Sequence, residues 1–336
     1  MSQDHEFAPF LRTIGRGPRL SRPLDRAEAR EALRLVLEGR VDPVQLGAFL
    51  LVLRYRGETP EELAGMIEAA RENFSGASTG GTPAGPVADL DWPSYADRHR
   101  QQPWFVLAAR LLAVNGVKVL MHGIAGYSDG YAPTRPALAA LGLRPSASLA
   151  EAAERLQRDN LAYLGLESFC APLDRLFALR PLLGVRSAVN TLARALNPGR
   201  APCQLQGVFH PPYRRLHQKV AAIEGQPVAA IFKGGAGEVQ RNPLKPCRVA
   251  WVRDGETGEE DWPALLPGAA HKWREEPLDP ERVAALWRGE IDLPAPEAAV
   301  TGTVALALSA LGRAEDRTEA QSMAEAMWRA RPHKNP

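Results

Sequence analysis

"DPVQLGAFLLVLRYRGETPEELAG", residues 42 to 65, reads as two helix starts joined by one tight turn. Asp42 before Pro43 is an N-cap with proline at the first helical position, and Thr59-Pro60 repeats the device after Gly57. Upstream, Asp25 with Glu28 makes a capping-box pattern before REALRLVLEG, where Leu33, Val36 and Leu37 recur at helical spacing until Gly39. Three short amphipathic helices with tight turns predict a small bundle.

Downstream, SGASTGGTPAGP (75–86) has the Gly, Ser, Thr and Pro content of a hinge. Beyond it the periods alternate. PVADLD, VKVLMHG, LAYLGL, CQLQGVF and PVAAIFKG read as buried strands. PWFVLAARLLAVNG and segments near 135–141, 148–158, 184–196 and 211–224 read as helices between them. LDPERVAALWRG and residues 295–312 and 316–330 return to helix. The predicted fold class is α/β: a small N-terminal helical bundle domain, then a larger α/β domain with a mostly parallel sheet covered on both faces.

Of the 336 residues, 45% are hydrophobic and 24% charged, the balance of a globular protein with a sizeable core. The three cysteines, Cys170, Cys203 and Cys247, form no CxxC or Cys/His spacing, so no metal site and no cofactor are expected. MSQDHEFAPF lacks an apolar signal core, and no run approaches the roughly 18 apolar residues of a membrane span. A cytoplasmic protein without a membrane partner is the expectation.

The 42–65 line and the order of elements resemble the anthranilate phosphoribosyltransferase family over nearly the whole chain. The resemblance implies domains at 1–75, with about 168–198 packing onto it, and at 86–167 with 199–336. The family carries a GTGGD loop whose backbone N–H groups close around a pyrophosphate. Here the corresponding stretch is DLDWPSYADRHRQQPW, without a glycine. TGGT at 79–82 precedes the strand and reads as linker. The family's KHGNR becomes Met121-His122-Gly123-Ile124-Ala125, and its magnesium-holding acidic pair is represented by KGGAGEV (233–239), with Glu238 alone. Phosphoribosyl transfer depends on such groups. His122, Gly123 and Glu238 are therefore read as a vestigial substrate pocket, with no catalytic residue assigned. His122 is read as a buried histidine, and Trp92, Tyr95 and Trp104 as filling the space of the lost nest.

Within the superfamily, which includes nucleoside phosphorylases, a TrpD-like branch called YbiB resembles this chain at four separated places. These are IGRG (14–17) with RPLDRAEAR (22–30), GVRSAVNTLA (184–193), HPPY (210–213) and KGGAGEVQRNP (233–243). The resemblance implies a homodimer formed through the helical domain that binds single- and double-stranded nucleic acid with little sequence preference.

Charge placement bears on the same point. The net charge is only +2, yet residues 171–250 hold twelve Arg or Lys against Asp174, Glu224 and Glu238, and the next fifty residues are acidic. Arg12, Arg16, Arg19 and Arg22 lie in an acid-free stretch, read as an extended arm. Candidate phosphate contacts are these four with Arg186 and Arg194, read as sharing a helix face with Thr191. Arg214, Arg215 and Lys219 follow HPPY at a helix start. Lys233 follows a strand, and Arg241 and Lys245 occupy the next loop. Tyr213 is read as packing rather than stacking on a base. The first reading is a non-catalytic, homodimeric nucleic-acid-binding protein that grips backbone phosphates. The alternative is a phosphoribosyl (pentosyl) transferase with an altered substrate.

Overall fold

The computed structural model describes residues 4–74, 87–96, 100–126 and 134–333, so the hinge with TGGT lies outside the described residues. The N-terminal bundle holds four helices: α1 (Ala8–Gly15), α2 (Arg26–Leu37), α3 (Pro43–Arg56) and α4 (Pro60–Glu72). Asp25/Glu28 and Thr59/Glu62 form reciprocal capping boxes on α2 and α4, and the Asp42 side chain caps α3. At Gly65 a Cβ would stand 2.0 Å from the Arg26 carbonyl oxygen, so a glycine there lets α2 and α4 pack backbone to backbone. Helix α1 corrects the extended-arm reading. Phe7 and Ile14 are buried while Arg12 faces out, and Phe7, Phe10, Leu11 and Ile14 have helical spacing that the arginines obscured.

The α/β domain carries one seven-stranded sheet in the order β3-β2-β1-β4-β5-β6-β7. Its strands are β1 (Leu90–Ser94), β2 (Val119–Gly123), β3 (Leu161–Gly165), β4 (Cys203–Val208), β5 (Val228–Lys233), β6 (Cys247–Arg253) and β7 (Glu256–Trp262). The first five run parallel to one another; β6 is antiparallel to β5, and β7 to β6. The hairpin β6–β7 escaped the sequence reading. Its signal was Asp254-Gly255, both at positive φ (49° and 85°), as a two-residue hairpin turn requires. Strand β1 starts and ends later than PVADLD because it runs through Pro93. The β1–β4 pairing stops at Asp91↔Gln204 while β1–β2 continues to Ser94↔Gly123, so the proline sits where no β4 partner needs its missing N–H.

The remaining helices are α5 (Phe105–Val114), α6 (Thr134–Ala140), α7 (Leu149–Asp159), α8 (Leu166–Phe169), α9 (Ala171–Phe177), α10 (Arg180–Leu183), α11 (Val189–Leu192), α12 (Pro212–Ile223), α13 (Pro280–Arg288), α14 (Pro294–Ala310) and α15 (Arg317–Arg329). Side-chain alternation splits the sheet's two faces. Val119 and Met121 join the core with α5 and α13–α15, and Leu120 joins the core shared with the bundle. Residues 166–196 belong to that second core. Phe169 meets Phe74 edge-on at 5.0 Å, and the Arg71 guanidinium donates to the carbonyls of Ala195 and Leu196 and pairs with Glu224 at 2.5 Å. No described helix is long and apolar enough to cross a membrane.

Candidate functional site

The carboxyl ends of the parallel strands, where open α/β sheets bind ligands, divide into two parts. Over β1 and β2 the described side chains at the edge are buried. His122 is fully buried, with Nδ1 2.8 Å from the Tyr95 hydroxyl and Nε2 3.1 Å from Asp91 Oδ1. Nδ1 and the Tyr95 hydroxyl share a hydrogen bond, whereas Nε2 and Asp91 Oδ1 lie close together without forming one. Asp91 also accepts from Gln204 Nε2 at 2.6 Å, and Gln206 Nε2 donates to Gln204 Oε1 at 2.5 Å. Burial holds the Tyr95 phenol well above its usual pKa, so it remains a hydroxyl. Trp92, Tyr95 and Trp104 are all buried here.

Glu238 is 2% exposed, and its Oε1 accepts the Ala96 N–H at 2.6 Å. Burial pushes its carboxyl up to about 7, against the pull of Arg194 and the Ala96 bond. A Cβ at Gly207 or Gly234 would stand 2.1 or 1.6 Å from the Glu238 carbonyl oxygen. The two glycines thus allow the 234–240 loop to lie directly on β4. His122 and Glu238 are buried and line neither of the two clefts among the described residues. Among the described residues, no group of three or more His, Cys, Asp and Glu could hold a metal ion.

Beyond β4 the edge is open. A cleft of about 490 Å³, counting its solvent-facing mouth, is lined by Arg54, Arg186, Ser187, Asn190, Thr191, Arg194, Val208, Phe209, His210, Tyr213 and His217. It lies between α3, the 184–194 segment and the start of α12. Arg186 precedes α11 in non-helical chain and Arg194 sits in a short 3₁₀ turn, which corrects the single-helix-face reading; both reach the cleft nonetheless. Arg194 is 9% exposed, and its Nε donates to the Gly207 carbonyl at 3.2 Å. Tyr213 accepts from Arg54 at 2.6 Å. Burial, with Arg194 nearby, lowers His217 to about 3, so it is a neutral ring. Arg54, Asn190, Phe209 and His217 escaped the sequence reading, because nothing in their spacing marks them.

A second basic surface lies on the bundle. Arg12, Arg16, Arg19 and Arg22 line one groove with Pro9, Thr13, Leu20 and Ser21. The chain after α1 folds back, with the Arg22 N–H donating to the Thr13 carbonyl at 3.1 Å. Arg12 pairs with Asp4 and Arg22 with Glu28, whereas Arg16 and Arg19 are exposed and make no ion pair among the described residues.

The other candidates scatter. Lys233 is exposed and registers with Val208, one strand from the cleft. Lys219 and Lys245 are exposed, and Arg214 and Arg215 share Glu259 at 3.4 Å. Arg241 is 1% exposed: its guanidinium lies 5.3 Å from the Trp262 ring and donates to the Pro263 carbonyl. It is packed inside rather than offered to a phosphate.

Comparison with known proteins follows this geometry. The glycosyl transferase family's helical bundle domain matches residues 8–74. The uncharacterized protein YbiB of Escherichia coli (strain K12) is 31% identical over 255 residues, 74% of this chain and 78% of that protein. The anthranilate phosphoribosyltransferase of Gluconobacter oxydans (strain 621H) is 33% identical over 209 residues, 62% of this chain and 55% of the enzyme. The crystal structure of anthranilate phosphoribosyltransferase (TrpD) from Thermus thermophilus superimposes with a TM-score of 0.74 at 25% identity, covering 91% of this chain and 92% of that one.

Proposed function

The chain belongs to the anthranilate phosphoribosyltransferase-like (TrpD-like) superfamily, and we propose that it uses this scaffold as a non-catalytic, homodimeric, cytoplasmic nucleic-acid-binding protein. The observation that carries the reading is the groove in which Arg12, Arg16, Arg19 and Arg22 converge, with Arg16 and Arg19 exposed and outside any ion pair among the described residues. Guanidinium groups there neutralise backbone phosphates and release counterions, which gives affinity without sequence readout. Arg186 in the cleft, with exposed Lys219, Lys233 and Lys245, adds further positive charge.

Catalysis is set aside because the groups that would handle a phosphoribosyl donor are either replaced or enclosed. Glu238 and His122 are committed to internal partners, and the loop from Tyr95 to Trp104 contains no glycine. Dimerisation is assigned to α3. That helix has two apolar sides: Phe49, Leu50 and Leu53 are buried, while Val44, Ala48, Leu51 and Tyr55 form an exposed stripe. A helix with two apolar faces needs cover on both, and a second copy's α3 is a self-complementary one.

The test pairs two assays. Anisotropy of a labelled oligonucleotide across salt, with phosphoribosyl pyrophosphate and magnesium as competitor, should show tight binding that weakens steeply with salt and ignores the competitor. Turnover of phosphoribosyl pyrophosphate with anthranilate, or absence of oligonucleotide binding at low salt, would overturn the proposal. Leu51→Glu with Tyr55→Glu should give a monomer by light scattering.

A further inference from the structure

The cleft beside β4 differs from the N-terminal groove in offering more than positive charge. Its rim is half-buried Arg54 and Arg186 with Phe209, which is 42% exposed and meets His210 edge-on at 4.7 Å. Its floor is Asn190, Arg194 and His217, which are 8%, 9% and 2% exposed. Two floor atoms, Asn190 Nδ2 and His217 Nδ1, are buried without a hydrogen-bond partner among the described residues. Asn190 Oδ1 accepts the Ser187 N–H at 3.3 Å, which orients the amide and leaves its N–H₂ unsatisfied. Arg194 is engaged with the carbonyls of Gly207 and Asn190. Buried polar atoms without partners are unfavourable, so an occupant that satisfies them is favoured.

The floor therefore presents an amide donor and a neutral imidazole nitrogen, a set that suits the uncharged edge of a nitrogen heterocycle. The rim presents an aromatic face and two guanidinium groups. We infer that this cleft seats one unstacked nucleotide of a single strand, its base against Phe209 and its edge on Asn190 and His217, with the adjoining phosphate on Arg186 and Arg54. The inference rests on the nucleic-acid reading and adds to it a preference for single strands. A base still paired in a duplex must first be unpaired and unstacked, whereas a base in a single strand is free to stack on an aromatic side chain.

The test compares three probes at one salt concentration: oligothymidylate, a duplex of the same length, and a wholly abasic strand, which carries the same phosphates and no bases. The protein should bind oligothymidylate about tenfold tighter than the abasic strand. Phe209→Ala, at a half-exposed position, should abolish that difference while leaving the abasic and duplex affinities unchanged, and Phe209→Tyr should retain it. Equal affinity for abasic strand and oligothymidylate, or a Phe209→Ala variant that keeps the preference, would overturn the inference while leaving backbone binding intact. Failure of all three probes to bind at low salt would overturn the parent reading and the inference together. Thymidine monophosphate that binds the cleft without a base preference in the strand would assign the site to free nucleotides and also overturn it.

Discussion

Two halves of one sheet edge have opposite fates. Over β1 and β2, Tyr95 bonds His122, Gln204 bonds Asp91 and the Ala96 N–H bonds Glu238, all in the interior and away from either described cleft. Beside β4, Asn190 Nδ2 and His217 Nδ1 lack partners among the described residues, below an arginine-lined mouth. Both sides hold buried polar atoms without partners, but only those beside β4 lie at the floor of a described cleft, where an occupant could reach them. Position at the carboxyl edge of a parallel sheet does not by itself identify a binding site.

The comparison breaks if a change on the β1–β2 side alters nucleic-acid affinity as much as it alters stability. Asp91→Leu should show the largest effect, because it takes the charged acceptor from the buried Gln204 amide. Loss of a charged partner from a buried donor costs about 3 kcal/mol, which a denaturant midpoint would register, while the folded fraction should bind oligonucleotide as before.

Glu238→Gln sharpens the same contrast through pH. The folded-state carboxyl, raised to about 7, holds a proton that the unfolded chain releases at its ordinary value near 4.5. Stability from this group is therefore complete below the unfolded value and falls as pH rises through the folded one. Wild type should lose on the order of 2–3 kcal/mol at this position between pH 5 and pH 8, and the variant should not. Parallel pH profiles for the two proteins would contradict the buried, protonated carboxyl.

At the small end stands Arg215→Ala. Its guanidinium is 73% exposed and only 3.4 Å from Glu259, so stability should move by less than about 0.5 kcal/mol. A larger loss in a melting curve would mean that this surface pair has a structural role.

The sequence carried the architecture where local signals agree with tertiary packing. Capping residues and N1 prolines marked α2, α3 and α4, and continuous apolar runs marked the five parallel strands. It misled where one residue type stood out over a weaker period: the arginines and glycines around α1 masked the Phe7-Phe10-Leu11-Ile14 spacing, and Pro93 cut β1 short. The acidic β7 looked like surface chain because it is an edge strand whose side chains mostly face water. Arg241 shows the limit for sites, since a basic loop residue can end under a tryptophan. The cleft was half legible. Arg186 and Arg194 were named, but Asn190, Phe209 and His217 meet them only through the fold.

The most direct measurement is the slope of log affinity against log salt for wild type and for the double variant Arg16→Ala, Arg19→Ala, using one labelled single strand. If these two arginines neutralise phosphates, the variant should bind about tenfold more weakly at low salt, with a slope shallower by about 2. A variant with the wild-type affinity and slope would contradict the assignment of the N-terminal groove to nucleic acid.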